Sequence, residues 1–388
     1  TNNETLNNHG NLLIWADKEN LNNIGTLENN GNLNNYGDLS NRGMLHSRVG
    51  TLINQFGGTL RNGSNGTLAS NFISILTNEG TMTNEGAMTN NILNLNSGGK
   101  LILNSNLDTS LPSGGINWKS GSTLTIGSRQ VIILRSPLSV PLNSTLNVLG
   151  TFNIDPDGIL SNDGILTNNG RLTNNGDLTN NGNLTNESTG YFNNAGTLDN
   201  NGPLENYGVF DAYGTISNRG ILKIKYQSFF EIGGMVKNNG SIDIDTDISN
   251  FGELDNNGSM YGRDLSTLNN FGFINNSSDG YMSLGNLNNS PSGYPGDALT
   301  NDGIIDITGT LDNIGVILTN NSTININGFL NNNSGGTIIG SGTFALLGSQ
   351  DLYTGGLGTI TPGSSHDTLS VTGNINLGLN SYDCEIDG

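Results

Sequence analysis

An acidic run, Asp243, Asp245 and Asp247, has the spacing of a possible ion site. In the sequence SIDIDTDIS these aspartates alternate with other residues, so in an extended chain the three carboxylates would share one outward face. Carboxylate oxygens arranged in this way could bind Ca²⁺. The alternative is a solvated acidic face that discourages pairing between sheets. The chain has no G-G-x-G-x-D repeat and no D-x-D-x-D-G-x5-E loop, which favours the alternative, and we predict no other metal or cofactor.

A second acidic group, Asp155, Asp157 and Asp163, lies close in sequence to Arg171. A β-helical lyase or hydrolase, such as a tailspike-like depolymerase, needs carboxylates that converge on one face, usually with Arg or Lys. The chain has 33 acidic residues, so this proximity in sequence can arise by chance. We therefore predict that the protein is not an enzyme, and keep a carbohydrate-active enzyme as the alternative.

The histidines and the cysteine add no catalytic pattern. His9, His46 and His366 are far apart in sequence, and no partner set for a zinc site or a catalytic triad accompanies them. Cys384 is the single cysteine, so the chain can form no internal disulfide. We expect this cysteine to pack rather than to cross-link chains.

The element that must position all these side chains is a six-residue repeat, clearest in GILSNDGILTNNGRLTNNGDLTNNGNL. Its glycines are Gly158, Gly164, Gly170, Gly176 and Gly182. Its leucines are Leu160, Leu166, Leu172, Leu178 and Leu184, and Leu198 and Leu204 continue the series. A period of six fits neither a helix nor one long strand, and a short fixed period is typical of repeat architectures.

Each hexad is predicted to form one short strand and one corner. The glycine, the leucine and the first asparagine would face inward, and the residues between them outward. Asn-Gly would supply the bend, because both residues tolerate positive φ. One leucine cannot offset the entropy of six ordered residues, so coils must stack, with backbone hydrogen bonds and asparagine ladders between them. The predicted fold is all-β, a β-solenoid with three faces per coil.

Composition excludes several classes of partner. The net charge is −19, which disfavours binding to nucleic acid and to a bare anionic membrane. Hydrophobic residues make up 33% of the chain, and no run of about 18 apolar residues is present. We therefore predict no membrane insertion in this segment. Strict periodicity of leucine argues against disorder, despite the low apolar content.

Changes in the repeat divide the sequence into four segments. Residues 1–91 form a first hexad-repeat solenoid. Residues 92–157 have fewer Asn-Gly corners and are interpreted as a wider-strand section of the solenoid or as a small insert. Residues 158–345 form a second hexad-repeat solenoid with loop insertions. Residues 346–388 have another rhythm, and we expect this segment to continue beyond Gly388.

The last 30 or so residues carry a P-G-x-S turn followed by T-L-x-V-x-G-N-x-x-L and an acidic apolar strand. The matching residues are Pro362, Gly363, Ser365, Thr368, Leu369, Val371, Gly373, Asn374, Leu377, Glu385 and Ile386. This segment resembles a strand-turn module of bacterial autotransporter passenger domains and related large secreted adhesins. The resemblance implies a right-handed β-helix displayed outside the cell.

Together these features predict a structural or adhesive segment of an extracellular surface fibre or adhesin. It would assemble with other copies into a homo-oligomer or fibre, or contact a surface or a cell-surface glycan. Outward Tyr36, Tyr207 and Tyr213 are candidate contacts, and corner packing within one coil is their alternative role. An ice-binding or mineral-binding module is a third possibility, but threonines that recur every six residues would be spread over three faces.

Overall fold

The chain is built from β-strands. The computed structural model describes residues 1–15, 20–70, 75–85, 87–89, 93–103, 109–110, 116–291, 298–347, 351–353, 358–362, 368–372 and 374–376. These residues form 55 short strands and no α-helix. Accordingly, the described part of the chain contains no helix that is long and apolar enough to cross a membrane.

Two compact units, Thr1–Phe192 and Asn193–Gly388, divide the chain. The strands of the first unit are β1 (Thr5–Asn8), β2 (Asn11–Ile14), β3 (Asn20–Asn23), β4 (Thr26–Asn29), β5 (Asn32–Asn35), β6 (Asp38–Asn41), β7 (Met44–Ser47), β8 (Thr51–Asn54), β9 (Thr59–Asn62), β10 (Thr67–Ser70), β11 (Ile75–Asn78), β12 (Thr81–Asn84), β13 (Ala87–Thr89), β14 (Leu93–Leu95), β15 (Lys100–Leu103), β16 (Thr109–Ser110), β17 (Ile116–Trp118), β18 (Thr123–Ile126), β19 (Val131–Leu134), β20 (Leu138–Val140), β21 (Thr145–Val148), β22 (Thr151–Ile154), β23 (Ile159–Asn162), β24 (Ile165–Asn168), β25 (Arg171–Asn174), β26 (Asp177–Asn180) and β27 (Asn183–Asn186). Strand β28 (Tyr191–Asn194) contains the boundary between the units.

The second unit continues with the same type of strand. Its strands are β29 (Thr197–Asn200), β30 (Pro203–Asn206), β31 (Val209–Ala212), β32 (Thr215–Asn218), β33 (Ile221–Ile224), β34 (Phe229–Ile232), β35 (Met235–Asn238), β36 (Ser241–Ile244), β37 (Ile248–Asn250), β38 (Glu253–Asn256), β39 (Ser259–Gly262), β40 (Thr267–Asn270), β41 (Phe273–Asn276), β42 (Tyr281–Leu284), β43 (Asn286–Asn289), β44 (Ala298–Asn301), β45 (Ile304–Ile307), β46 (Thr310–Ile314), β47 (Ile317–Asn320), β48 (Thr323–Ile326), β49 (Phe329–Asn333), β50 (Thr337–Gly340), β51 (Thr343–Leu346), β52 (Asp351–Tyr353), β53 (Thr359–Pro362), β54 (Ser370–Thr372) and β55 (Asn374–Asn376).

Strand pairing makes each unit a β-solenoid with three strands per coil. Within a unit a strand pairs in parallel with the strand three further along the chain, as β1 does with β4 and β33 with β36. Three faces result. In the second unit the first face runs through β31, β34, β37 and β40, the second through β29, β32, β35 and β38, and the third through β30, β33, β36 and β39. The fold class and the three faces predicted from the period of six are confirmed.

Register places like residues above one another. Leu160 pairs with Leu178 in the next coil, and Leu166 pairs with Leu184. The second residue of a typical strand is buried, while its first and third residues face outward. The fourth residue is buried at the corner. The inside of each coil therefore holds a column of aliphatic side chains beside a column of corner side chains.

Asparagine ladders fill many of the corners. In the first unit Asn35 Nδ2 donates to Asn54 Oδ1 at 2.7 Å, and Asn54 Nδ2 donates to Asn78 Oδ1 at 2.8 Å. Asn54 Nδ2 also donates to the carbonyl oxygen of Thr81, across the corner of the next coil, at 3.0 Å. One buried amide thus bonds both to its copy and to the backbone. The amide ladders expected from the sequence are present in both units.

The corner glycines are required by close approach of the backbone rather than by positive φ. A Cβ added to Gly182 would lie 2.1 Å from the carbonyl oxygen of Gly164 in the previous coil, and one added to Gly170 would lie 2.1 Å from that of Gly150. Neither of these two glycines, nor Gly158, Gly164 or Gly176, has φ between +20° and +160°. The expectation that these glycines supply a positive φ is therefore wrong, because it is the missing side chain that allows the coils to stack.

The four sequence segments stay a prediction, since they follow repeat texture and the two compact units do not test them. In the described part of residues 92–157 the three-strand coil continues, and β18, β19, β21 and β22 have four residues each. The extra residues there lie in the connections, such as Gly127–Gln130 between β18 and β19. Ile126 replaces asparagine at the end of β18 and is buried.

Candidate functional site

The clearest departure from a smooth coil is a set of three consecutive long connections in the second unit. Segments 225–228, 245–247 and 263–266 join the third face to the first face in successive coils, and we call them the acidic corner. The coil before them turns through Tyr207 and Gly208 alone, and the coil after them through Gly285 alone. The acidic corner therefore contains more residues than the turn itself needs.

The acidic corner is an ordered structure held by its own hydrogen bonds. The backbone N–H of Ser266 donates to the carbonyl oxygen of Arg263 at 2.9 Å, and that of Ser228 donates to Lys225 at 3.0 Å. The two serine hydroxyls donate to the same carbonyls at 2.8 and 2.6 Å. The first and third connections are thus closed by the same pair of hydrogen bonds, although their backbones differ, because Gln227 has a φ of 66° and its counterpart Leu265 has no positive φ.

A cavity of about 710 Å³ opens in this corner. Its lining residues are Tyr226, Asp245, Thr246, Asp247, Arg263, Asp264, Leu265 and Ser266. Tyr226 is 69% exposed and Leu265 is 91% exposed. The wall therefore combines an aromatic ring and an aliphatic side chain with carboxylates and one guanidinium.

Two of the carboxylates already have partners. Arg263 Nε lies 2.8 Å from Asp245 Oδ1, which joins adjacent coils. The backbone N–H of Thr267 donates to Asp247 Oδ1 at 2.8 Å. These contacts use one oxygen of each aspartate. Three carboxylates face one guanidinium in the lining, so the cavity has a net negative charge.

The structure does not bring Asp243, Asp245 and Asp247 together on one strand face. Strand β36 ends at Ile244, so Asp243 lies on the strand while Asp245 and Asp247 belong to the corner. Ser241 Oγ donates to Asp243 Oδ1 at 2.9 Å. Within the described ranges, no three His, Cys, Asp or Glu side chains are grouped so that they could hold a metal ion.

The second acidic group is likewise spread over the coil. Asp155 and Asp157 lie between β22 and β23, Asp163 lies in the next connection, and Arg171 begins β25. Asp155 Oδ2 instead accepts from Arg135 Nε at 2.9 Å, one coil earlier. Their separation is 20 residues, which is one coil here but differs from the 18 residues of three hexads, so the repeat alone does not reveal the pair.

The remaining members of that group also have other contacts. Asp163 Oδ1 accepts a hydrogen bond from Asn181 Nδ2 at 2.8 Å. The Arg171 guanidinium lies over the ring of Tyr191, 4.8 Å from its centroid. Asp155, Asp163 and Arg171 therefore each contact a different residue instead of converging on one another.

The other predicted residues are placed as follows. The buried core leucines are Leu160, Leu166, Leu172, Leu178, Leu184, Leu198 and Leu204, each at most 1% exposed. His9 is exposed and His46 is half-buried. Of the C-terminal motif, Pro362 ends β53 and Val371 lies in β54. The residues His366, Gly363, Ser365, Gly373, Leu377, Cys384, Glu385 and Ile386 lie outside the described residues.

The predicted contact tyrosines pack between coils. Tyr36 stacks on Trp15 with ring centroids 5.3 Å apart and an interplanar angle of 12°. Tyr213 covers Gly233, where an added Cβ would lie 2.5 Å from the tyrosine ring. The Tyr207 hydroxyl donates to Glu205 Oε2 at 3.0 Å. Each ring is thus partly used within its own unit, although Tyr207 and Tyr213 remain 38% and 51% exposed.

Two ionisable groups of the second unit have shifted pKa values. Burial raises the pKa of the Glu205 carboxyl, but hydrogen bonds from Tyr207 and Lys223, with the charge of Lys225, outweigh burial and hold the pKa below its usual value. The hydrogen bond that Tyr281 donates to Asp306, at 2.6 Å, raises the pKa of Tyr281, and burial adds to this effect. Neither group lines the acidic corner.

Sequence reasoning missed an exposed apolar patch in the second unit, which we define as Phe251, Phe271, Phe273 and Ile317. Phe251 and Phe271 stack with ring centroids 4.9 Å apart. Phe251, Phe273 and Ile317 are each about half exposed. The signal was available, because Phe251, Phe271 and Phe273 lie beside glycines and Ile317 begins a strand, and side chains at these positions face outward.

No family model and no curated protein matches the chain. Among solved structures, the chain is similar to the crystal structure of a TibC-catalyzed hyper-glycosylated TibA55-350 fragment. The identity is 12%, the likeness covers 95% of this chain and 99% of that chain, and the TM-score is 0.18. At this TM-score the likeness does not establish a shared function.

Proposed function

We propose that the chain is a structural and adhesive segment of an extracellular surface fibre or adhesin. The observation that carries the proposal is the double connection between successive coils, by backbone pairing and by buried amide ladders such as Asn218 to Asn238 to Asn256. A stack held in this way resists local opening, because each coil is bonded to both neighbours. Its outward positions are then free to vary and to contact a surface.

An extracellular location is part of the same proposal. The resemblance of the C-terminal segment to secreted adhesins supports it. The test is antibody labelling of intact producing cells, with permeabilised cells as the control. Labelling of intact cells is the expected result, and labelling only after permeabilisation would contradict the proposal.

We propose that the role is non-catalytic. Its support is the separation of Asp155 and Asp163 in two connections and Arg171 on strand β25, each with a contact of its own. Incubation with purified bacterial polysaccharides and analysis of reducing ends should show no cleavage above a heat-denatured control. Cleavage that increases with protein concentration would favour the carbohydrate-active enzyme.

Self-association is the proposed mode of assembly, and the apolar patch is its proposed surface. Phe273 and Ile317 lie on the same face two coils apart, with Ala298 between them, and exposed apolar side chains grouped on one face are typical of interaction sites. Sedimentation velocity of the wild-type chain should show oligomers that the Phe251→Ser, Phe273→Ser, Ile317→Ser triple variant lacks. Phe229→Ser is the matched control, because Phe229 is 47% exposed on the first face. Equal oligomerisation of the triple variant and the wild type would overturn this assignment.

Adhesion itself is tested with beads coated with the wild-type chain. Beads should adhere to cultured cells or to glycan-coated surfaces more than beads coated with the urea-denatured chain. Equal adhesion of the two kinds of bead would contradict an adhesive role for the folded surface.

A further inference from the structure

We propose that the acidic corner is a binding site for a neutral or amine-bearing sugar unit of a glycan. This inference rests on the proposed adhesive function and assigns it a location. The cavity volume of about 710 Å³ is in the range of small-ligand sites. The cavity is formed by three connections of three or four residues each. In the adjoining coils the same corner has a connection of only one or two residues.

The apolar part of the wall points to a ligand with an apolar face. Tyr226 and Leu265 both border the cavity and are 69% and 91% exposed. A ligand that covers both side chains would remove their apolar surface from water, which is favourable. A pyranose ring presents C–H groups on one face, and an aromatic ring with a polar edge suits such a face.

The polar part of the wall points to a ligand rich in hydroxyl groups. Carboxylates accept several hydrogen bonds each, and the contacts of Asp245 and Asp247 use only one oxygen of each group. Arg263 uses its Nε on Asp245, and a guanidinium has further N–H donors. Hydroxyl groups can both donate to the carboxylates and accept from the guanidinium.

Charge selects among sugars. Asp245, Asp247 and Asp264 outnumber Arg263 in the lining, and the whole chain carries a net charge of −19. A sialic acid or uronic acid would bring another carboxylate into this field and would be repelled. A neutral hexose fits the site, and a protonated amino sugar is favoured further by its charge.

The test uses the full wild-type chain on a glycan array and in saturation-transfer difference NMR. The probes are lactose and a chitosan trimer as neutral and amine-bearing sugars, and sialyllactose as the anionic counterpart. We expect saturation transfer to lactose or to the chitosan trimer, and at least tenfold weaker binding of sialyllactose. No transfer to either non-anionic probe, or equal binding of sialyllactose, would overturn the assignment.

Variants locate the site. Tyr226→Ala should weaken binding at least tenfold, because it removes the aromatic wall. Asp247→Asn should keep the acceptor for the Thr267 N–H and should lower affinity for the chitosan trimer more than for lactose. Phe56→Ala is the matched control, because Phe56 is an 81% exposed aromatic residue of the first unit. Unchanged binding by Tyr226→Ala would overturn the site.

The outcomes separate the site from the adhesive role. Wild-type beads that adhere, together with Tyr226→Ala beads that adhere equally, would reject the acidic corner and leave the adhesive function standing. Wild-type beads that adhere to nothing would reject the adhesive function. Circular dichroism of each variant confirms that the strands are retained.

Discussion

Two neighbouring regions of the first unit build the same coil with different corner chemistry. Between residues 116 and 154 the last residue of each strand is apolar, as at Ile126 and Val148, whereas between residues 159 and 186 it is asparagine, as at Asn162 and Asn168. All four of these side chains are fully buried. The coil therefore requires a buried side chain of suitable size at the corner, and does not require an amide.

What changes between the regions is the source of hydrogen bonds to the corner backbone. In the asparagine region Asn162 Nδ2 donates to the carbonyl oxygen of Asn183 at 2.9 Å. In the apolar region buried side chains of the connections donate instead. Ser144 Oγ donates to the carbonyl oxygen of Lys119 at 3.1 Å, and Gln130 Nε2 donates to that of Val131 at 2.8 Å. Corner carbonyls thus receive side-chain donors in both regions.

At the boundary between the regions, the first asparagine of a ladder has a buried amide oxygen without a hydrogen-bond donor. Each described ladder bond runs from an amide Nδ2 to the Oδ1 of the next coil, as from Asn168 to Asn186. Val148 pairs with Asn168 from the preceding coil and offers no amide. The buried Oδ1 of Asn168 consequently has no hydrogen-bond donor among the described residues, and the same holds for Asn162 after Val140. Such an acceptor costs stability once per ladder rather than once per asparagine.

The largest loss of stability is expected when a charged side chain replaces an asparagine of the ladder. Asn54→Asp keeps the shape but cannot donate to Asn78 Oδ1, so we expect a loss of about 3–5 kcal/mol in unfolding free energy at pH 7. Burial should raise the pKa of the introduced carboxyl above its unfolded value. The folded state then binds more protons, and stability falls as pH rises between the two pKa values. Urea denaturation of variant and wild type at pH 4 and pH 7 measures this, and an equal loss at both values would contradict it.

Asparagine introduced at each of two successive corner positions tests whether the direction of the ladder affects stability. Ile126→Asn places an amide between Leu103 and Val148, where no partner amide exists, and should cost about 3–4 kcal/mol. Val148→Asn should cost about 1–3 kcal/mol less, because its amide can donate to Asn168 Oδ1. Urea denaturation of both variants gives the difference, and equal losses would show that ladder direction has no energetic effect.

A third test concerns the close approach of coils at the corner glycine. Gly182→Ala places a methyl group against the carbonyl oxygen of Gly164 and should cost about 1–3 kcal/mol by forcing the coils apart. Gly10→Ala is the matched control, since no atom lies within 4 Å of its added Cβ. Its effect should stay within about 0.5 kcal/mol. Thermal unfolding of the two variants would reject the close-approach explanation if they melted together.

The smallest effect is expected for an ion pair outside a corner. Arg135 and Asp155 form an ion pair between adjacent coils, and the side chains of Arg135 and Asp155 are 64% and 30% exposed. The neighbouring Leu134 and Ile154 fill the inside of the same corners. Arg135→Gln should therefore cost less than about 1 kcal/mol. Raising the salt concentration should reduce the difference between variant and wild type. A larger loss, unaffected by salt, would mean that outer contacts matter as much as the buried column.

The regular part of this molecule was predictable because its period is short and constant. Leucine every six residues determines which side chains are buried, and the asparagine two positions later determines the ladders. The reason for the corner glycines was predicted incorrectly, because a sequence shows that a side chain is missing but not which carbonyl oxygen takes its place. Gly182 illustrates this difference.

The acidic corner was not predictable, because it depends on where a strand ends. The alternation of Asp243, Asp245 and Asp247 suggests one strand, yet the coil turns after Ile244, the fourth residue of β36, as it does after the fourth residue of most strands. Partners across coils also depend on coil length. Arg263 follows Asp245 by 18 residues, while Asp155 follows Arg135 by 20. Insertions in the connections alter this spacing, so contacts between outward side chains require coordinates.

Because the buried amides all point the same way, each ladder has a net dipole along its length. Along a β-sheet the peptide dipoles alternate and largely cancel, but in these ladders every amide from Asn218 through Asn238 to Asn256 donates the same way. Reversing one amide would set two oxygens face to face, so neighbouring amides must turn together or not at all. The ladder is therefore a polarised column whose two ends offer opposite partial charges to whatever meets them.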